Sequence, residues 1–282
     1  APIALAPRTG RRVREALAGA DVIHIHEPLM PLVGWAALRA PGPARKIGTF
    51  HADSPPWVRR AYRIGAPLAR RWLQQLDAVT AVSPVAAGAL GGLAEPVIIP
   101  NAVAVTGYRP AEQRRRNTVV FVGRDEPRKG LDVLLRAWEA VREAVPGAQL
   151  DVAGARRADR PGVHFHGRVT EAEKTALLSE CEVFCAPNLG GESFGIILVE
   201  GMAGGAAVVA SALDSFAAVL DGAGVLVTPG DHAALAEALI GVLAGDGVRA
   251  DLQSRSRARA ARFDRDVVFA QYAALYGGEG AV

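Results

Sequence analysis

The sequence predicts an α/β protein of two doubly wound domains, the first of them lacking its opening strands. Two observations carry this. Short β-branched runs alternate with helical patterns along the whole 282 residues, the signature of parallel sheets covered on both faces. A stretch of turn chemistry, Pro100 to Asn117, divides the series in two and holds Pro100-Asn101, Gly107, Pro110 and the charged cluster Arg114–Arg116. The incomplete start is expected because the chain begins without Met and runs almost at once into the strand at 21–26, where a full α/β domain would already have its first strands.

The expected strands are Val22–Ile25, Lys46–Phe50, Ala78–Val82, Val97–Ile99, Thr118–Val122, Gln149–Ala153, Val183–Ala186, Ala207–Ala210 and Gly224–Val227. Between them fall helices at Leu131–Val145, Glu171–Ser179, Phe194–Ala203 and Asp231–Leu243, with Val248–Arg262 and Arg265–Tyr276 at the end. In doubly wound sheets ligands sit at the carboxyl ends of strands, so functional residues should follow the strands closely.

Composition narrows the classes. Ile196 to Ala212 is the most apolar stretch, and Glu200 and several glycines interrupt it, so no membrane-spanning helix is expected. Residues 1–20 carry arginines and no apolar leader core, which suits a cytoplasmic protein. Cys181 and Cys185 are the only thiols, too few for a zinc site and badly spaced for a disulfide. The net charge of +3 conceals an asymmetry: residues 1–105 hold 12 Arg/Lys against 6 Asp/Glu, and the remainder 20 against 23. A basic first half suits an anionic surface as partner, although scattered solvated arginines have the same composition.

Two loops carry the chemistry. Gly190-Gly191-Glu192-Ser193-Phe194-Gly195 follows a strand and opens a helix. Its glycines permit a sharp turn and close backbone approach, and the amides at Phe194–Gly195 and the helix dipole behind them form a seat for a diphosphate. Glu200 sits within the apolar helix that follows, where a carboxylate is costly unless something hydrogen-bonds it, and ligand hydroxyls are suitable donors. The second loop, Gly123-Arg124-Asp125-Glu126-Pro127-Arg128-Lys129-Gly130, follows the strand ending at Val122. It supplies a guanidinium and an ammonium suited to the same diphosphate.

These runs, above all Cys185-Ala186-Pro187-Asn188-Leu189-Gly190-Gly191-Glu192-Ser193-Phe194-Gly195-Ile196, resemble the retaining glycosyltransferases of the GT-B fold. Within them the match is to the phosphatidylinositol mannosyltransferases, and His24-Ile25-His26-Glu27-Pro28 and Thr49-Phe50-His51 extend it over nearly the whole chain. The resemblance implies two Rossmann-like domains facing a cleft: an acceptor-side domain over 1–105, partial here, and a donor domain over 106–262. A helix over 263–282 would pack back on the first.

By the same resemblance Arg124 and Lys129 bind the donor diphosphate, with Gly123 beside them. Glu192 meets the transferred sugar, Glu200 holds the ribose, and Val169, Glu171 and Lys174 frame the base. Gly191, Ser193, Phe194, Gly195 and Ile196 complete the donor loop, and His51 lies near the reacting sugar. Catalysis is then expected from His51, Arg124, Lys129 and Glu192. No metal or cofactor is implied beyond GDP-mannose as donor substrate, the basic residues taking a metal's role.

The sequence departs from the family in three places. The Arg124–Lys129 loop is one residue shorter, Glu171 stands where the family has Asp, and Pro100-Asn101-Ala102-Val103-Ala104 lacks a glycine and a carboxylate. The family's first glycine-rich loop has no counterpart. The missing loop keeps a nucleotide-binding remnant open as an alternative, and a UDP-sugar enzyme of the same fold stays open because such enzymes share the two glutamates. A nicotinamide oxidoreductase does not, since no Gly-x-Gly-x-x-Gly follows a strand.

Other candidates are weaker. His164 and His166 share a strand face without a third ligand nearby, and His24 and His26 share one beside Glu27. Arg11, Arg12 and Arg14 start a helical stretch. Trp57 to Gln75 mixes Trp57, Tyr62, Ile64 and Trp72 with Arg59, Arg60, Arg63, Arg70 and Arg71. Such segments suit contact with anionic headgroups, and no nucleic-acid motif accompanies them. The expected protein is a monomer, peripheral on the inner face of the plasma membrane, meeting a nucleotide-sugar donor and a lipid acceptor.

Overall fold

The computed structural model of the chain describes residues 9–52, 56–158 and 160–277, without the side chains of Pro56, Arg59 and Ala61. The expected segments 1–105 and 263–282 run past these limits at their outer ends. Two compact units emerge: residues 1–101 together with 268–282, and residues 102–267.

The first unit carries α1 (Thr9–Ala16), β1 (Val22–His26), α2 (Val33–Leu38), β2 (Arg45–Phe50), α3 (Pro56–Ile64), α4 (Ala66–Leu73), β3 (Ala78–Ala81), α5 (Pro84–Gly88) and β4 (Val97–Ile98). Its four strands pair in sequence order, all parallel. Ile23 and Ile25 of β1 bury one face against Ala37 and Leu38 of α2. Ile47 of β2 packs with Ile99, and Val268 and Leu275 join that cluster from the C-terminal helix.

Trp57 to Gln75 is two helices rather than one. The break falls at Gly65, followed by Pro67 within the first turn of α4, where a missing N–H costs nothing. Trp72 is corrected from a surface residue to a packing one: its ring meets Trp35 at 4.5 Å and lies under the Arg39 guanidinium. Trp57 is 73% and Ile64 75% exposed. The Arg59 side chain lies outside the described ones.

The second unit carries β5 (Arg115–Val122), α6 (Leu131–Ala144), β6 (Gln149–Ala153), β7 (Val163–Gly167), α7 (Glu171–Glu180), β8 (Cys181–Ala186), α8 (Ile196–Ala203), β9 (Ala207–Ser211), α9 (Asp214–Leu220), β10 (Gly224–Val227), α10 (His232–Ala244) and α11 (Asp246–Ala260). α12 (Arg265–Gly277) follows and passes to the first unit's core from Val268. The sheet order is β10-β9-β8-β5-β6-β7, all parallel. The chain therefore winds outward from β5 to β7, then returns to the other side of β5 with β8. A crevice at the carboxyl ends of β5 and β8 is the topological switch point of such a sheet.

Leu134, Trp138 and Val141 of α6 fall at helical spacing and bury against Val119, Leu150 and Val152. Val183 and Cys185 alternate onto the same side of β8. Both cysteines are free and wholly buried, and burial raises their thiols, Cys181 to about 12.

The charged cluster at 114–116 is not loop alone. β5 begins at Arg115, which pairs with Asp151 at 2.7 Å. Arg114, half-buried, donates to the carbonyls of Ser179 (3.2 Å), Cys181 (2.6 Å) and Gly204 (2.8 Å). It thereby caps the carboxyl ends of α7 and α8, where carbonyls lack helical partners.

Candidate active site

The loop after β5 and the loop after β8 meet at the switch point because Gly130 permits it. Its φ is +74°, and a Cβ there would stand 1.8 Å from the Pro187 carbonyl oxygen. Leu189 N–H donates to the Arg128 carbonyl at 2.8 Å, lacing the loops together. Arg157 anchors the first loop from outside, donating to Asp125 (2.9 and 2.5 Å) and Asp132 (2.5 Å).

This contact places two of the loop's cations on one carboxylate. Lys129 Nζ donates to Glu192 Oε1, Arg128 Nη1 does so at 2.8 Å, and buried Asn188 adds its amide at 3.0 Å. Glu126 accepts from Arg128 Nε at 2.9 Å and pairs with Arg124 at 2.9 Å. Arg124 itself points into solvent, its side chain 75% exposed. Three cations and two carboxylates thus form one open chain of charge-assisted bonds, from Arg124 through Glu126, Arg128 and Glu192 to Lys129. Of these, Arg128, Glu126 and Asn188 receive no role from the sequence. A signal for Arg128 is present there, as a third cation in the same run; that for Asn188, a polar residue buried in an apolar stretch, shows only once burial is known.

Gly191, Glu192 and Ser193 lie in the loop between β8 and α8, and Gly123 directly follows β5. The helix starts two residues later than the sequence suggests. Gly195, at φ +102°, is the N-cap of α8, and Ile196 is its first residue. Phe194 is buried and meets Phe263 edge-on at 5.7 Å. The amides at the head of the helix are therefore those of Ile196 and Ile197, and Phe194–Gly195 is corrected to the turn that aims them. Gly195 has no room for a side chain, since Phe216 carbons stand 2.8 Å from where a Cβ would be.

Glu200, one turn into α8, is satisfied by Lys174 of α7 at 2.9 Å, and Lys174 also pairs with Glu171 at 2.8 Å. Burial pulls the Lys174 ammonium down, but its hydrogen bonds to Glu171 and Glu200 outweigh this and hold it above its ordinary value. Tyr108 lies beside the pair. Burial first, then the Glu200 charge, push its phenol up to about 12. Val169 is half-buried in the turn before α7.

In the first unit, β1 and β2 bring His24, His26 and His51 together. His51 Nε2 is 2.7 Å from His26 Nδ1. His24 stacks on His26 at 4.6 Å and reaches Tyr276 OH (2.7 Å) and Thr49 Oγ1 (2.6 Å). Burial, with His26 and His51 adding to it, lowers His24 to about 4. His51 is lowered too, by burial and then by His26, while Glu27 and the Asn101 side chain pull it back up.

His164 and His166 share a face of β7, and His166 Nε2 donates to buried Asp151 at 2.7 Å. Arg11, Arg12 and Arg14 are exposed along α1, Arg11 pairing with Glu15 at 2.6 Å. Among the described residues no group of three His, Cys, Asp or Glu could hold a metal ion, and no helix is long and apolar enough to cross a membrane.

Known proteins share this architecture. Residues 116–271 match the family model for glycosyl transferases group 1, and residues 2–107 match that for glycosyltransferase family 4. HepE of Anabaena, solved in complex with UDP, superposes with a TM-score of 0.80 at 20% identity, covering 95% of this chain and 82% of that one. A sucrose-phosphate synthase from Thermosynechococcus elongatus gives 0.74 at 24%, covering 96% and 77%. In sequence, the phosphatidyl-myo-inositol mannosyltransferase of Mycobacterium leprae is 39% identical over 98% of this chain and 79% of its own length. That of Propionibacterium freudenreichii is 35% identical over 91% and 70%. With GT-B glycosyltransferase architecture in both units and identity of this order along nearly the whole chain, the protein belongs to the phosphatidyl-myo-inositol mannosyltransferase family.

Proposed function

We propose that this glycosyltransferase transfers mannose, with retention, from GDP-mannose to a phosphatidylinositol-type lipid at the inner membrane face. The observation that carries the reading is the pair of cations Arg128 and Lys129 on Glu192 at the β5–β8 switch point, extended through Glu126 to exposed Arg124, with α8 opening at Ile196 three residues after Ser193. A donor diphosphate laid there meets the cations, and the sugar hydroxyls donate to Glu192 in their place. As the glycosidic bond breaks, charge builds on the leaving phosphate, and groups already aimed at it stabilise the transition state more than the ground state. The acceptor hydroxyl attacks on the face the diphosphate leaves. Glu200 accepts from the ribose hydroxyls, Glu171 faces the N–H groups of guanine, and His51 borders the sugar. The relatives named phosphatidyl-myo-inositol mannosyltransferase support mannose and the lipid acceptor.

A membrane-facing surface agrees with exposed Arg11, Arg12 and Arg14 on α1 and with exposed Trp57 and Ile64 on α3 among Arg60 and Arg63. Aromatic and aliphatic groups mixed with arginine suit the headgroup layer of an anionic leaflet.

A thermal-shift panel of GDP, UDP and ADP tests the donor, since a ligand raises stability according to its affinity. GDP should give the largest shift; a response led by UDP would replace GDP-mannose with a UDP-sugar, the nucleotide bound in HepE being UDP. Mannosylation of phosphatidylinositol vesicles by the protein excludes a remnant that only binds nucleotide. GDP binding without transfer would establish that remnant instead.

A further inference from the structure

The groups around His51 do more than line a wall. Glu27, at the end of β1 with φ +54°, sends its Oε1 to accept from the backbone N–H of His51 (2.7 Å) and of Ala52 (2.9 Å). Its own N–H donates to the Thr49 carbonyl at 2.8 Å. A non-glycine residue in the left-handed region is uncommon and is held by its surroundings. Here those surroundings are the first two amides beyond β2, so Glu27 fixes where the backbone of His51 lies.

His26 fixes the ring. A bond between His26 Nδ1 and His51 Nε2, 2.7 Å apart, requires one nitrogen to carry the proton and the other to accept it. The Asn101 side chain interacts with His51 and makes it more basic, as an amide oxygen accepting a ring N–H does. Nε2 faces His26 at 2.7 Å, which leaves Nδ1 of His51 as the ring nitrogen free to carry that proton. His51 is then the Nδ1–H tautomer, His26 donates from its own Nδ1, and the lone pair of His51 Nε2 is tied to His26. His24, Thr49, Tyr276 and Glu27 are the other polar groups facing the pair from β1, β2 and α12. Tyr62 of α3 faces Glu27.

We propose that His26 and Glu27 are positioning residues for His51, Glu27 setting its backbone and His26 its ring rotation and tautomer. The proposal rests on the reading that His51 borders the transferred sugar. A misplaced or wrongly protonated imidazole would face that sugar with the wrong atom, and displacement on the scale of 1 Å can cost about 10²-fold in rate.

The full chain with His26→Ala, His26→Asn and His51→Ala tests this, by mannosyl transfer to phosphatidylinositol vesicles and by ¹⁵N spectra of the imidazoles. The Asn amide nitrogen falls near the lost Nδ1 and can still donate. His26→Ala should lower kcat by roughly 10- to 100-fold while the donor KM stays within about twofold, and His26→Asn should recover most of the loss. With nothing donating to Nε2, His51 takes a proton more readily, so the acid limb of kcat should move to higher pH in His26→Ala and stay in place in His26→Asn. Wild-type spectra should show the His51 proton on Nδ1. A proton on Nε2, or wild-type kcat for His26→Ala in a protein that His51→Ala inactivates, overturns the proposal. Activity retained by His51→Ala, or no transfer by the wild type, defeats the functional reading instead, and the spectra then still decide how the two rings are paired. Should the Ala variant fail to fold, the Asn variant and the wild-type spectra decide the proposal in its place.

Discussion

Lys129 and Glu192 face each other across the two loops of the β5–β8 switch, the ammonium donating to Oε1. Neither group lies fully in water, each side chain being 16% exposed, so each satisfies the other until a ligand replaces it. On the proposed mechanism Lys129→Ala removes a cation aimed at the leaving phosphate, and it leaves Glu192 to Arg128 and Asn188. Turnover should fall by roughly 10²-fold or more, the scale for losing a preorganised anion donor. Steady-state transfer assays check this, and unchanged turnover would remove Lys129 from the mechanism.

Gly130→Ala should separate the two loops. The new methyl group would collide with the Pro187 carbonyl and hold φ +74° against its preference, a conformational cost of about 1–2 kcal/mol before the clash is counted. Calorimetry should find GDP affinity reduced by about tenfold or more, for an equivalent of about 1.4 kcal/mol. Affinity equal to the wild type would mean that the loops need not touch.

Arg114→Ala should act on stability. Three carbonyls lose the guanidinium at once, Ser179 keeping the Ala111 N–H, and a loss of about 2–3 kcal/mol is expected for a charged donor serving partly buried groups. The melting temperature should drop by roughly 4–12 °C. Arg114→Lys should recover only part of it, because one ammonium cannot reach the carbonyls of both helix ends with the same fork.

Acid should weaken the first unit through His24. Its folded pKa of about 4 lies below the ordinary 6.5, so between these values the unfolded chain binds a proton that the native one refuses. Stability from this group is complete above about pH 6.5 and is lost as pH falls toward 4. A series of melting temperatures across that window should show a shallower decline for His24→Asn than for the wild type. Parallel declines would show that His24 titrates alike in both states.

Much of this is legible in the residues. Every expected strand exists, because period and β-branching mark buried parallel strands well, and the two chemical loops follow β5 and β8 as a doubly wound sheet requires. What escapes is relational. Arg114 reads as loop charge, since nothing in the sequence says that two helices will end beside it. Arg128 reads as redundant until Gly130 and Pro187 bring its loop against Glu192. Trp72 shares the helical spacing of exposed Trp57, but Trp35, 37 residues earlier, claims its ring. Long-range partners decide such cases, and local pattern does not contain them.

The carboxylates of Glu126 and Glu192 have a consequence for what the protein ignores. Left bare, Arg124, Arg128 and Lys129 would gather any small oxyanion in the cell. Balanced as they are, on the proposed function they would release their grip only for a visitor that brings hydroxyls for Glu192 along with charge for the cations. Free phosphate brings the charge alone, so on that reading the acid that the sugar satisfies would also turn phosphate away.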